Sequence, residues 1–118
     1  MSNSLLVRAM VAGAAIAPFR IVRFDAIDGQ VLQAAAATDL SVGVVEHVAA
    51  ASGERCDVVL VGVAEITLGA AVTRGSQLTS DATGRAVTAI AGNRRIGIAL
   101  VSGVVGDVVE VLLNPGTA

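Results

Sequence analysis

His47 and Cys56 are the only histidine and the only cysteine of this 118-residue chain, and they set the limit on nucleophilic chemistry. A Cys–His pair works when the two side chains touch and their surroundings favour the thiolate. Cys56 opens an alternating run, Cys56, Val58, Leu60, Gly62, Ala64, Ile66 and Leu68, which forms a continuous apolar face. A thiol on such a face is buried and inert, so both residues are assigned to packing and no catalytic residue is expected. Structural zinc takes four nitrogen or sulfur-type ligands and catalytic zinc three. One His and one Cys fall short of either, so no metal and no cofactor are expected. Glycines at 69 and 75 hint at a phosphate loop, but such a loop needs a lysine to reach the phosphates, and the chain contains none.

The remaining charges read as structural. Asp25 and Asp28 flank a turn, and Asp81 sits in another; the string around it does not match a calcium loop. Arg94 and Arg95 follow Asn93 in a turn, as a solvated patch or as a pair for acidic groups on a partner. The net charge of −2, the scattered arginines and the lack of aromatics other than Phe19 and Phe24 exclude a nucleic-acid partner. No apolar run approaches the roughly 20 residues of a membrane span. Leu5 to Ala17 superficially looks like a secretion signal, but Arg8 interrupts it and no basic segment precedes it.

The elements that carry these residues are organised around Arg55 to Val87. The first half of that stretch alternates with period two and is rich in β-branched residues, which predicts a strand. Its second face is polar at Asp57, Glu65 and Thr67 but apolar at Val59, Val61 and Val63. A face open to water is polar throughout, so this middle is covered, either by the chain or by a copy of it. Val59, Val61 and Val63 are therefore the expected oligomer interface. In the second half, 78–81 and 82–85 read as tight turns.

Elsewhere, 19–24, 31–34, 41–48, 86–90, 95–101 and 108–113 read as strands. Asp28-Gly29 marks a hairpin turn, and Asn114-Pro115-Gly116 stops the last strand. Short strands with Gly and Asp turns at close spacing indicate an all-β barrel or sandwich. Residues 1–15 form an N-terminal arm or a first strand, and 16–118 a single β-barrel-like domain. The apolar content is 54% but nearly all of it is small aliphatic side chains. Each of these removes little area from water, and a small domain buries a modest share of its surface. A homo-oligomer or a large docking surface is expected.

Several strings also resemble a known family. These are Asn3 to Arg8, Ala12 to Ala17, Arg20-Ile21-Val22, Val42 to Val45, Gly53 to Val59, Val72 to Val87, Gly106-Asp107 and Leu112 to Gly116. Together they resemble the tailed-bacteriophage capsid cement, or head decoration, proteins over nearly the whole chain. Members have sometimes been loosely labelled phage recombinases, a label that the missing lysine and the missing DNA-binding surface oppose. The resemblance implies a small β-barrel or β-tulip-like domain and a non-enzymatic virion protein, usually trimeric. Such a protein binds the outer surface of the phage head at three-fold or quasi-three-fold junctions and stabilises the lattice of the major capsid protein, its partner. Assembly takes place in the host bacterial cytoplasm. On this reading Ser2, Asn3, Ser4, Leu5, Leu6, Val7 and Arg8 form the arm that touches the capsid. The alternative is a phage or bacterial surface-binding β-domain for carbohydrate or host adhesion, which would depend on exposed aromatics.

Overall fold

The computed structural model describes residues 3–118. They form nine strands: β1 (Asn3–Ala12), β2 (Arg20–Phe24), β3 (Gln30–Gln33), β4 (Ser41–Val45), β5 (Arg55–Thr67), β6 (Gln77–Ser80), β7 (Ala86–Thr88), β8 (Arg94–Ala99) and β9 (Val108–Thr117). Among the described residues there is no helix, and so none that could cross a membrane. All nine strands belong to one sheet in the order β1-β3-β2-β4-β5-β9-β8-β6-β7. A further pairing of β1 with β5 closes the first five strands into a ring.

β5 is the longest strand and the hinge of this arrangement. Val58 pairs with Arg8 of β1 on one edge and Val45 of β4 on the other. Five residues on, Val63 pairs with Asn3 of β1 and Leu112 of β9. β4 and β9 thus follow each other along one edge of β5, while β1 runs along the opposite edge. The predicted alternation holds: Cys56, Val58, Gly62, Ala64, Ile66 and Leu68 are buried.

That face serves two cores. Cys56 and Val58 pack with Met10, Ile16, Val22, Val31 and Val45. Ala64, Ile66 and Leu68 pack with Ile21, Val44, Leu78, Ile96 and Val111. Consecutive residues of β2, β4 and β5 (Ile21 and Val22, Val44 and Val45, Val58 and Val59) are divided between the two cores. These strands are buried on both faces, which is why they read as apolar runs with untidy alternation.

Two local readings are corrected. Residues 78–81 do not turn: Leu78, Thr79 and Ser80 are buried in β6, and only the following segment reverses the chain. Asp81 makes that reversal. Its Oδ1 accepts the backbone N–H groups of Thr83 and Arg85, both at 2.9 Å. Gly84 supplies the positive φ of 75°. Asn114-Pro115-Gly116 does not end β9, which runs on to Thr117. The register steps from Gly97↔Leu113 to Arg95↔Gly116. Asn114 and Pro115 therefore bulge opposite Ile96, where proline's missing N–H costs no ladder bond.

Candidate binding surface

β1 is the element that the fold leaves least covered. Successive residues of a strand point to opposite faces, so a strand packed on one side alternates between buried and exposed. From Asn3 to Ala9 every residue of β1 is exposed, and burial begins only at Met10. Leu5 is 75% and Leu6 52% exposed, with Val7 close behind. Ser2, the first residue of the expected arm, lies outside the described residues.

The segment is nevertheless held in place. Along one edge it pairs antiparallel with β5, from Asn3↔Val63 to Val11↔Arg55. The register shifts twice, between Ser4 and Leu6 and between Leu6 and Val7. The first shift makes Leu5 an extra residue on β1, and the second makes Leu60 an extra residue on β5. The two bulges offset each other, so Val7 to Val11 run in regular register with Val59 to Arg55. Gly62 lies at the first bulge with φ of 112°. A Cβ there would overlap the Asn3 carbonyl oxygen and come within 2.9 Å of Leu5 N. Only glycine lets β1 approach so closely.

The three valines of the expected interface are placed differently. Val59 is buried in the chain's own core, paired with Val7 and Val44, so the chain itself covers that part of the face. Val61, opposite Leu6, is 45% exposed. Val63 is half-buried between Asn3 and Leu112, and Leu112 is itself exposed. Around β1, the large apolar side chains left exposed are Leu5, Leu6, Val7, Val61 and, on β9, Leu112. Sequence periodicity does not find Leu112, because β9 is brought beside β5 only by the fold.

Beside this surface runs a groove of about 570 Å³. It is lined by Val7 and Ala9 of β1, by Arg55, Cys56, Asp57 and Val59 of β5, and by the segment from Val45 to Ala49. His47 and Cys56 both line it but differ in setting. His47 is exposed and meets the Phe19 ring edge-on, at 5.1 Å between centroids. Cys56 is buried, and burial followed by the charge of Asp57 pushes its thiol above the ordinary range. That is the opposite of what a nucleophilic thiolate requires. Glu46, His47 and Glu65 each bring a donor atom within 4.8 Å of the others, a grouping that counting His and Cys did not anticipate. Within it, the Glu46 carboxylate accepts the Glu65 N–H at 2.8 Å.

The arginine pair is structural. Arg94 donates to the Ser41 carbonyl at 3.2 Å. Arg95 donates to the Asn114 carbonyl and the Gln77 side chain, both at 2.8 Å. Both arginines lie in β8, and these bonds tie it to β4, β9 and β6.

Residues 2–114 match a family described as phage cement protein. Among solved structures, the chain is similar to the N base of the head fiber gp8.5 of bacteriophage phi29. The TM-score is 0.73 at 17% identity, covering 96% of this chain and 97% of that one. At that identity the likeness concerns the fold. No curated protein matches the sequence.

Proposed function

The chain belongs to the phage cement protein family and is a structural phage capsid protein; from that premise we propose that it works as a head decoration protein without enzymatic activity. It binds the outer surface of the head at three-fold or quasi-three-fold junctions and stabilises the lattice of the major capsid protein. The observation that carries this reading is β1, whose consecutive residues Leu5, Leu6 and Val7 are exposed on both faces. Apolar surface of that kind marks an interaction site. Residues 2–8 are the part that touches the capsid. Val61 and Val63 take part in contacts between copies of a homotrimer, with Val59 supporting them from beneath.

Affinity at such a site is the surplus of burial over association and ordering costs. Repetition over a symmetric shell multiplies weak contacts through avidity. A chain rich in small aliphatic side chains and poor in charge suits broad burial better than a pocket.

The test is sedimentation with emptied, expanded heads assembled from the major capsid protein of the same genome. The full chain is expected to co-sediment. A chain lacking residues 1–8 is expected to stay in the supernatant while keeping its oligomeric state. Full binding by the truncated chain would refute the assignment of β1.

A further inference from the structure

We propose that the outer edge of β1, at Val7 and Ala9, takes up an extended segment of the major capsid protein as an added strand; this rests on the cement function above. The backbone carries the argument. Ala12 bonds toward β5: its N–H donates to the Glu54 carbonyl at 2.8 Å, and its carbonyl accepts Gly53 N–H at 2.7 Å. Val11 bonds the other way, its N–H donating to the Gly29 carbonyl at 2.9 Å. Alternation then turns the N–H and C=O groups of Ala9 and Val7 to the same side as Val11, away from β5. β3 meets β1 only at Val11 and Ala12. Among the described residues, no strand lies on the outer side of Val7 and Ala9.

A row of unpaired donors and acceptors on a strand edge is a template for another strand, and proteins usually guard it with lysine, proline or a bulge. From Val7 to Met10 this edge has none of these, since the two bulges lie nearer the N-terminus. Its guard is a single charge, Arg8. Backbone bonds to such an edge supply affinity, and pockets for alternate side chains supply specificity.

The occupant follows from charge and from the available edges. A second copy has two sheet ends to offer among the described residues, β7 and β1. β7 is three residues long, and Ala86 at its start is already bridged to Leu68. A symmetric β1–β1 pair using both Val7 and Ala9 would set Arg8 directly opposite Arg8 of the other copy, and like charges in that position oppose pairing. A capsid segment with an acidic residue opposite Arg8 meets neither obstacle.

Hydrogen exchange on the full chain, with and without expanded heads, tests this directly. Addition of heads is expected to slow exchange of the Val7 and Ala9 amides at least tenfold. Ala9→Pro removes the outward N–H without touching a bond to β5, and is expected to weaken head binding at least tenfold; Arg8→Glu is expected to weaken it similarly. Head binding with unchanged exchange at Val7 and Ala9 overturns strand addition but leaves the cement function standing. Failure of the full chain to bind heads overturns both. Protection that rises with protein concentration alone shows β1–β1 pairing and overturns the capsid segment as occupant. If Ala9→Pro does not fold, the exchange measurement on the unaltered chain decides.

Discussion

Replacing Gly62 with alanine tests how β1 is held. Two costs are separable at this position. The first is conformational: a non-glycine residue at φ of 112° is strained by about 1–3 kcal/mol. The second is steric, because the new methyl group would occupy the space of the Asn3 carbonyl and crowd Leu5 N. β1 must then move off β5 between Asn3 and Leu6, giving up roughly three ladder bonds at about 1 kcal/mol each. Gly75 isolates the first cost, since its φ is 91° and nothing lies within 4 Å of an added Cβ. Gly75→Ala is expected to lose about 1–3 kcal/mol, the strain alone. Gly62→Ala is expected to lose about 4–6 kcal/mol in total. At roughly 4 °C per kcal/mol for a domain of this size, it should melt about 16–24 °C lower. Urea unfolding of both variants measures the difference, and hydrogen exchange at Leu5 and Leu6 locates it. If Gly62→Ala proves no more costly than Gly75→Ala, the close approach of β1 at the bulge is not what requires glycine there.

Three further outcomes follow from the same structure. Burial pushes the Asp81 carboxyl up, but the N–H groups of Thr83 and Arg85, the Thr83 hydroxyl and the Arg85 guanidinium outweigh it and hold the pKa below the ordinary range. A depressed carboxyl contributes stability above its unfolded value, near 3.9, and loses it as pH falls through the folded value. Asp81→Asn should therefore cost about 1–3 kcal/mol at pH 7 and flatten the decline in stability below about pH 4; parallel unfolding curves down to pH 2 would contradict this. Cys56 should react with a thiol reagent only on unfolding, and rapid labelling of the native protein would show that its site is open. Ile66 is fully buried, so Ile66→Ala should cost about 2–5 kcal/mol in urea unfolding, whereas Val48→Ala at an exposed position should stay within about 0.5 kcal/mol.

How much of this was legible depended on range. The alternation from Cys56 to Leu68 is visible in the sequence because it is a property of neighbouring residues. So is the turn at 82–85, since Asp81 and Gly84 make it with short side chains and positive φ. The same local view misread Leu78-Thr79-Ser80 as a turn. Threonine and serine favour turns in isolation, yet here pairing with β7 and β8 places them in a buried strand. It also stopped β9 at Pro115, because the bulge that tolerates proline exists only opposite β8.

The amino-acid order by itself determined that the chain is all-β and that Cys56 is packed away. Only the tertiary structure decided that Val59 is covered from within while Val61 is not, and that β1 lies on β5 with Leu112 nearby and its far edge open. Residue periodicity reports which side chains share a face. Which strand lies beside that face depends on pairings between residues tens of positions apart, and those are selected by the packing of two cores at once.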